Sequence, residues 1–450
     1  MDKENSLDLT QGSIFKVLML FVLPIIAGSL IQQLYTTADA IIVGKFAGKA
    51  GLAAIDSCSV VFKFPINFLS GLSAGTTIVI SNYFGGKNEK RLDHSIHTGY
   101  TIAVCLGVIC SAAGVIFTPA LLKIMAVPED IFSMSLVYCR ISFFGLWSMI
   151  LYNMAAGMLR AYGDSKSPFL VLLFCCAVNI AGDLLLAGVF DMGVAGAAIA
   201  TIAAQILSVI LSMRYLEKKH CHCDKSVWTV FYHEKEADSI LRMGIPLGIQ
   251  SVLFPAANSI VQANVNTMGT DIIAAWAVCG KLDLLIWLIA DSMGPALSTY
   301  VAQNLGAKKE NRIWKGTITG ASVSFVLVGI VSLILYLFPE ELGGLFVTDQ
   351  DAAAILPLVV TYMKMMAPFY IFYSFAESFS GACCGMGDTL KSMLLTLVCT
   401  CGLRVAAIFL LFSRVHTMEC IVWIYIASWI VSGSLFIIWF ILKKVKYRVG

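Results

Sequence analysis

Long apolar runs dominate this sequence and restrict it to few possible folds. An α-helix needs about 20 mostly apolar residues to cross the hydrocarbon core of a bilayer, and twelve runs reach that length. They lie near residues 14–38, 51–82, 96–118, 131–157, 168–190, 194–216, 240–266, 272–303, 316–338, 352–380, 391–412 and 418–442. Because a segment in lipid must satisfy its backbone hydrogen bonds internally, the sequence predicts an all-α polytopic membrane protein with twelve transmembrane helices.

The composition excludes an ordinary soluble enzyme. Of the 450 residues, 58% are hydrophobic and 13% are charged, and the mean hydropathy is +0.83. Soluble globular domains carry about 25% charged residues, so about half of the usual charge is missing. Most of the 14 cysteines lie inside apolar runs, where we interpret them as small packing residues.

The basic residues are unevenly distributed between the two sides that twelve spans define. Of the 31 Lys and Arg residues, 22 lie in segments on the side of the N-terminus, four lie on the opposite side and five lie within the runs. Cytoplasmic loops of membrane proteins carry the excess of positive charge. The sequence therefore predicts a multi-pass protein of the plasma membrane with both termini in the cytoplasm.

The chain repeats itself at about half its length. The segment Phe84–Arg91 is echoed by Leu305–Arg312 at an offset of 221 residues, and Gly157–Asp164 is echoed by Gly381–Asp388 at an offset of 224. An even number of spans in each copy gives both copies the same orientation, so we predict two six-helix parallel repeats around a central cleft. The predicted division is an N-terminal lobe at 1–216, a cytoplasmic linker at 217–239 and a C-terminal lobe at 240–450.

Polar and acidic residues share helix faces in the first half. Gln32, Tyr35 and Asp39 are spaced by three and seven residues, which places them on one stripe at the end of the first span. Asn179 and Asp183 lie four residues apart in the fifth span, within an apolar environment. An ionisable residue in hydrocarbon costs about 2.5–3.5 kcal/mol on insertion scales, so each acid requires an explanation.

Two explanations for these acids remain open on the sequence alone. In the functional one, Asp39 and Asp183 bind H⁺ or Na⁺ and Thr201 of the sixth span adds a hydroxyl oxygen. In the structural one, Asp39 is an interfacial residue and Asp183 is buried against Arg140, since buried charges normally pair. The repeat favours a specialised site, because the equivalent second-half positions hold Val261, Leu403 and Ala407.

The second half has charges of its own. Lys281, Asp283 and Asp291 lie in the predicted eighth span, Glu377 in the tenth and Arg404 in the eleventh. A network of Lys281, Asp283 and Glu377 lining the cleft and a static ion-pair lock between helices are equally compatible with this pattern.

Other motifs carry little signal. The run His220–Cys223 has the composition of a metal site but lies alone in the predicted linker, where an incidental polar segment is the simpler interpretation. Gly385–Asp388 matches the GxGD of intramembrane proteases, yet its repeat copy Ala161–Asp164 indicates a cytoplasmic turn. The chain has no GxxxxGK[ST] phosphate loop, so an ion gradient remains as the energy source.

The chain resembles the multidrug and toxic compound extrusion (MATE) family, and specifically its DinF-like branch. The segments that carry the resemblance are Leu23 to Gly44, Gly157 to Pro168 and Val301 to Ala307. The resemblance implies twelve helices in two lobes and cation-coupled export of bulky, often cationic or aromatic compounds. The residues that match the family's first-lobe cation site are Asp39, Asn179, Asp183 and Thr201, and those that match cavity-lining positions are Gln32, Tyr35 and Asn153.

Two positions depart from the family's pattern. Leu184 follows Asp183 where many relatives have proline, which bears on the helix bend used in switching. The seventh span, Ile245 to Asn266, lacks the glutamate of the NorM-like branch, so a second-lobe cation site of that kind is not expected.

The sequence thus predicts a secondary antiporter and not an enzyme. We expect H⁺ or Na⁺ as the coupling ion, no cofactor, no nucleic-acid partner, and a monomer that acts on small molecules within the lipid bilayer. The main alternative is a flippase for lipid-linked saccharides, which usually has a more cationic cavity. A membrane enzyme is the second alternative, and the spans show no reactive dyad that would support it.

Overall fold

The secondary structure is helical throughout the part of the chain that the structure describes. The computed structural model describes residues 7–220, 226–348 and 350–449, and no strand occurs among them. The α-helices in chain order are α1 Ile14–Phe46, α2 Gly48–Gly85, α3 Glu89–Ile124, α4 Glu129–Ala161, α5 Lys166–Asp183, α6 Gly193–His220, α7 Glu234–Val265, α8 Thr270–Leu282, α9 Leu284–Gly306, α10 Glu310–Leu337, α11 Pro339–Gly344, α12 Ala352–Met366, α13 Tyr370–Gly385, α14 Thr389–Leu395, α15 Leu403–Ala407 and α16 Met418–Val449.

Twelve helical stretches are long and apolar enough to cross a bilayer, which confirms the predicted number of transmembrane helices. Their outer faces carry large apolar side chains. Ile116, Phe144, Val189 and Phe409 are 69%, 68%, 75% and 66% exposed, respectively. Soluble proteins bury most side chains of this kind, so lipid is the solvent that suits these faces.

Two of the predicted continuous spans are interrupted by a turn, and two others, the runs at 168–190 and 391–412, contain π-helical stretches. The run at 272–303 is divided at Asp283 into α8 and α9, and the run at 352–380 is divided by a 3₁₀ turn at Ala367–Phe369 between α12 and α13. Pro368 explains the second interruption, because proline has no backbone N–H and disturbs a helix interior. At the first, aspartate is a poor helix former and two tyrosine hydroxyls hold its carboxylate.

The described residues form two compact units. The first contains Met19–Gly248, and the second contains Thr10–Leu18 together with the chain from Ile249 onward. The units therefore divide within α7, whereas the predicted linker at 217–239 overlaps only the end of α6 and the first turns of α7. The predicted lobes rest on the sequence repeat, and their boundaries stay a prediction.

The first unit is built around α4, which packs against α2, α3 and α6. Leu122 of α3 and Cys139 and Leu159 of α4 are fully buried in its core. A Cβ atom at Gly157 would lie 2.4 Å from Thr77 Oγ1, so glycine is what lets α4 approach α2 so closely.

The second unit has α9 and α13 at its centre, with α10 and α16 packed against them. A Cβ atom at Gly381 of α13 would lie 2.2 Å from the carbonyl oxygen of Gly294 in α9. Gly381 is the repeat partner of Gly157, so the same close helix approach recurs in both halves. The segment Thr10–Leu18 joins this unit through Arg312, whose Nη1 donates to the carbonyl oxygen of Gly12 at 2.8 Å.

The repeated turns have matching backbone conformations. Lys87 and Lys308, at equivalent positions, have φ angles of 51° and 56°. Gly163 and Gly387 have φ angles of 81° and 85°. Positive φ is uncommon outside glycine, so its recurrence at paired positions reflects duplication of one fold.

Candidate cation-binding site

Three helices of the first unit bring the predicted acids together. Asp183 is the last residue of α5, and Asn179 lies one turn before it. Thr201 Oγ1 of α6 accepts a hydrogen bond from Asn179 Nδ2 at 3.3 Å and another from the Tyr35 hydroxyl of α1 at 3.4 Å. Asp39, also in α1, faces Asp183 closely enough for their carboxyl groups to interact. These five side chains form what we call the acid cluster.

Several oxygens of the acid cluster have no hydrogen-bond partner among the described residues. Asp183 is 0% exposed and Asn179 is 1% exposed. The unpartnered buried atoms include both carboxylate oxygens of Asp183, Oδ1 of Asp39 and Oδ1 of Asn179. Arg140, the alternative partner for Asp183, is exposed and makes no ion pair with it. The structure thus places the acids in a cluster and not in an Asp183–Arg140 pair.

This arrangement favours binding of a positive ion. Leaving a buried polar acceptor unsatisfied costs about 1–3 kcal/mol, and more if it is charged. Ionised carboxylates only accept hydrogen bonds, so Asp39 and Asp183 can bond to each other only if one carries a proton. Alternatively, a hard cation prefers oxygen ligands, and the cluster offers carboxylate, amide and hydroxyl oxygens. The residues present therefore fit either H⁺ or Na⁺.

The helix that carries Asp183 changes its geometry directly after that residue. A π-helical stretch occupies Leu184–Val189, and at the repeat offset a second one, Ile408–Phe412, begins at the position equivalent to Leu184. π-helical turns are rare and frequently occur at functional sites. Because the second copy has Ala407 before it in place of an acid, the wider turn belongs to the duplicated fold and does not depend on Asp183.

The remaining first-half residues predicted for the substrate cavity lie outside the acid cluster. Gln32 is exposed on α1, one turn before Tyr35. Asn153 of α4 is half-buried, and its Nδ2 donates to Ser70 Oγ at 3.5 Å while its carbonyl oxygen accepts from Ser73 Oγ at 2.8 Å. Their assignment to a substrate cavity stays a prediction.

The second-half charges are separated in the structure. Asp283 is 2% exposed, and its carboxylate accepts hydrogen bonds from the hydroxyls of Tyr362, at 3.1 Å, and Tyr370. Lys281 is exposed, with its Nζ 5.3 Å from the centre of the Phe346 ring. The single network of Lys281, Asp283 and Glu377 that the sequence allowed is not formed, because tyrosine hydroxyls satisfy the aspartate.

Glu377 instead belongs with Asp291 of α9. The two carboxyl groups interact, and Asp291 Oδ1 accepts a hydrogen bond from the Tyr373 hydroxyl at 2.5 Å. Lys281, Asp283 and Glu377 remain predicted cavity residues, and the ion-pair lock between helices is not present among the described residues.

Sequence reasoning missed the tyrosines that hold these acids. Tyr362, Tyr370 and Tyr373 recur at intervals of eight and three residues, which is helical spacing and was a usable signal. Trp287 and Trp429 pack against them, with ring centroids 4.7 Å apart for Trp287–Tyr373 and 5.6 Å for Trp429–Tyr370. The tyrosines that hold Asp283 and Asp291 thus belong to one aromatic cluster.

Arg404 is a buried cation that also lies in the second unit. It is 1% exposed, and it donates from Nη1 to Asn258 Oδ1 at 2.6 Å and from Nη2 to Ser428 Oγ at 3.0 Å. The guanidinium carbon lies 4.0 Å from the centre of the Tyr425 ring, a cation–π contact. Its Nε has no hydrogen-bond partner in the described part of the chain. The side chains of the run His220–Cys223 lie outside the described residues.

Twelve spanning helices in duplicated halves, with unpaired acids buried in the first, define a polytopic membrane protein of the transporter class. The chain belongs to the MatE family, whose model matches residues 24–185 and 246–410. This confirms the predicted family; assignment to the DinF-like branch stays a prediction.

Relatives of known sequence agree with this membership. The probable multidrug resistance protein YoeA of Bacillus subtilis is 30% identical over 434 residues, covering 94% of this chain and 92% of the relative. The probable multidrug resistance protein NorM of Thermotoga maritima is 26% identical and covers 96% and 93%. The FAD transporter of Shewanella oneidensis is 23% identical and covers 76% of each chain.

Solved structures confirm the fold. An outward-facing multidrug resistance MATE family transporter of the MOP superfamily matches with a TM-score of 0.91 at 20% identity and covers 100% of both chains. A MOP superfamily transporter from Pyrococcus furiosus, described as having a binding pocket of reverse polarity, matches with a TM-score of 0.89 at 20% identity and covers 98% of both.

Proposed function

We propose that this chain is a secondary antiporter that exports bulky, often cationic or aromatic compounds in exchange for H⁺ or Na⁺. The observation that carries the proposal is the acid cluster, in which the buried Asp183 and the half-buried Asp39 lie together without a basic partner among the described residues. Relatives named as probable multidrug resistance proteins supply the substrate class.

The acid cluster would exchange its positive ion during each transport cycle. With the site empty, two neighbouring carboxylates repel each other in a medium of low dielectric constant. H⁺ or Na⁺ relieves that repulsion and draws α1 and α5 together through Asp39 and Asp183. Thr201 links both helices to α6 through its hydrogen bonds to Tyr35 and Asn179, so occupancy of the site would bias the packing of all three helices.

Coupling follows if the ion and the exported compound prefer different states of the protein. A ligand shifts a conformational equilibrium only by its difference in affinity for the two states, and the coupling between two ligands is reciprocal. We propose that ion binding at Asp39 and Asp183 favours release of the compound to the outside. Alternating exposure of a cavity to the two sides would then complete the cycle.

Proteoliposomes test this proposal directly. Ethidium efflux is measured with a pH gradient or a Na⁺ gradient imposed separately, on the wild-type chain and on Asp183→Asn. We expect one gradient to drive efflux in the wild type and Asp183→Asn to abolish it. Asp191→Asn is the matched control, because Asp191 is exposed just beyond the π-helical stretch and asparagine tolerates its φ angle of 52°.

The result is informative only if both variants fold, which size-exclusion chromatography and thermal unfolding in detergent establish. Full efflux by folded Asp183→Asn would refute the assignment of the coupling site. Equal loss in Asp183→Asn and Asp191→Asn would show that charge loss in general, and not the acid cluster, is responsible.

An anionic substrate is the second candidate. Arg404 is buried in the second unit without a carboxylate partner in the described chain, and one relative is named as an FAD transporter. Loading the same vesicles with FAD in place of ethidium distinguishes the candidates. FAD efflux without ethidium efflux would favour an anionic compound and bring the lipid-linked saccharide flippase back as an alternative.

We propose further that the chain works as a monomer in the plasma membrane, with both termini in the cytoplasm, without a cofactor and without a nucleic-acid partner. The charge asymmetry of the loops supports the orientation. Gradient-driven transport by the reconstituted chain alone would agree with the absence of a cofactor.

A further inference from the structure

The segment that leads into α7 is fastened to the start of α3. The Thr229 carbonyl oxygen lies 3.0 Å from His97 Nδ1. Phe231 exchanges two hydrogen bonds with the Thr101 hydroxyl, accepting at 2.8 Å and donating at 2.9 Å. His233 N donates to Thr98 Oγ1 at 3.1 Å. Alternate residues of this segment are thus held on one helix, all within the first unit.

These contacts place His233 against a second histidine. The rings of His94 and His233 are stacked, with centroids 3.5 Å apart and planes inclined by 11°. The carboxylate of Glu236, which is 5% exposed in the first turn of α7, completes the group. One ligand atom from each of these residues lies within 4.8 Å of the other two.

The geometry points to a transition-metal site, and we propose that His94, His233 and Glu236 bind one Zn²⁺ or a similar divalent cation. Two imidazoles and a carboxylate are an established donor set for zinc, which leaves a fourth position for water.

Metal binding requires a small closing movement. Zinc bonds of 2.0–2.1 Å in a tetrahedron separate donor atoms by about 3.3 Å. Nitrogen lone pairs lie in the ring plane, so the stacked rings must turn from parallel to converge on one ion. His94 on α3 and His233 just before α7 are both half-buried, so neither ring is fully enclosed by protein.

His97 is not part of the ligand set. The Thr229 carbonyl oxygen only accepts hydrogen bonds, so Nδ1 of His97 must donate to it. Its Nε2 lies 3.4 Å from Asp93 Oδ1. His97 therefore holds the segment through Nδ1, and it positions the segment while His94, His233 and Glu236 bind the ion.

The proposed site would strengthen the attachment of this segment to α3. It is independent of the acid cluster and of the transport proposal, because none of its ligands lies there. A metal that joins α3 to the start of α7 stabilises only the folded arrangement, so its binding must raise the unfolding temperature.

Zinc titration of the purified full-length chain tests the proposal. The protein in detergent is stripped with EDTA and titrated with Zn²⁺ against a chromophoric zinc chelator. We expect one tightly bound Zn²⁺ per chain, a loss of affinity of at least tenfold in His94→Asn, His233→Asn and Glu236→Gln, and a Zn²⁺-dependent rise in the unfolding temperature of the wild type that these three variants lack.

Two controls separate this site from other zinc ligands. Cys221→Ser combined with Cys223→Ser removes the nearby thiols of the linker, and His416→Asn removes a histidine of the second unit. Both controls must keep the wild-type stoichiometry and affinity. The proposal is overturned if the wild type binds no Zn²⁺, or if binding is lost in the cysteine variant and kept in His94→Asn and His233→Asn. Unchanged unfolding temperatures of the EDTA-treated variants exclude misfolding as the cause.

Discussion

At the scale of single residues, Asp183 and Asp283 differ in how each buried carboxylate is satisfied. Asp283 has two tyrosine hydroxyls as hydrogen-bond donors, whereas Asp183 has no hydrogen-bond donor among the described residues. Both carboxylates are buried to a similar degree. The difference explains why one of these acids suits a structural role and the other suits exchange of a positive ion.

Substitution of Thr201 tests whether its hydroxyl contributes to ion binding in the acid cluster. Its hydroxyl accepts from both Tyr35 and Asn179, so Thr201→Val removes an oxygen and frees two donors at nearly constant volume. A lost hydrogen bond is worth about 0.5–1.5 kcal/mol, and we expect the ion concentration for half-maximal efflux to rise by a factor of about 2–12. Ethidium efflux at graded Na⁺ concentration or pH measures it.

Thr201→Ser is the matched control for that change, because serine keeps the hydroxyl and loses only a methyl group. It should transport like the wild type. A Thr201→Val variant that also transports normally would show that the hydroxyl does not shape the ion site.

The sequence predicted four members of the acid cluster as a cation site and assigned the fifth, Tyr35, to the substrate cavity, and it did not predict their partners. Asn179 and Asp183 could be placed on one helix face, because residues four apart in an α-helix lie next to each other. Which side chain of another helix meets them depends on helix packing, which spacing within a single helix does not encode. For this reason Arg140 stayed a possible partner for Asp183, and the tyrosines around Asp283 were missed.

At the scale of elements, the spans could be predicted and their interruptions could not. Length and hydropathy determine where a helix can cross a bilayer. The break at Asp283 and the π-helical turns at Leu184–Val189 and Ile408–Phe412 shift only a few hydrogen bonds within an apolar run. Such local changes leave the apolar pattern intact, so a prediction made from that pattern does not detect them.

Substitution of Gly163 tests how tightly the turn between α4 and α5 is packed. Its φ angle of 81° disfavours side chains, and a Cβ atom would lie 2.0 Å from the Leu7 carbonyl oxygen. Gly163→Ala therefore combines left-handed strain of about 1–2 kcal/mol with a backbone clash. We expect a markedly lower unfolding temperature in detergent.

Gly48→Ala is the comparison, because Gly48 has a φ angle of 66° and a Cβ atom there would meet no other atom within 4 Å. It carries the strain without the clash. Equal destabilisation of the two variants would mean that Leu7 does not pack against this turn as the structure shows.

The equivalent turn in the second half is held by charge. Asp388 precedes α14, and its carboxylate is 2.6 Å from Lys443 Nζ and 3.1 Å from Lys391 Nζ. Burial alone would raise the pKa of Asp388, but the hydrogen bonds and charges of the two lysines outweigh it and lower this pKa.

A lowered pKa in the folded state determines the sign of the pH dependence. The ionised carboxylate stabilises the fold above the ordinary aspartate pKa of about 4, and this contribution disappears as the pH falls through the lower folded value. We expect Asp388→Asn to unfold at a lower temperature than the wild type at pH 7, with the difference narrowing under acidic conditions. Unfolding temperatures in detergent across this range measure it, and a difference that widens on acidification would contradict the role of the lysines.

At the scale of the whole molecule, the duplication is the feature that the sequence reveals best. Equivalent turns share positive φ angles, and equivalent glycines, Gly157 and Gly381, permit close helix approaches. Short polar motifs mark the repeat because turns require particular residues. The lobe boundary is harder to predict, since the compact units divide inside a continuous helix, α7.

The distribution of Lys and Arg predicts the orientation of the molecule in the membrane, because 22 of the 31 lie on the predicted side of the termini. Each such charge favours the cytoplasmic side during insertion. We expect an epitope tag inserted at the exposed Asp191, between α5 and α6, to be removed by protease added outside intact cells, while a tag at either terminus is removed only after the membrane is opened. Cleavage of the terminal tags in intact cells, with protection of the tag at Asp191, would reverse the assigned orientation. The proposed direction of ion-driven export would then have to be reversed as well.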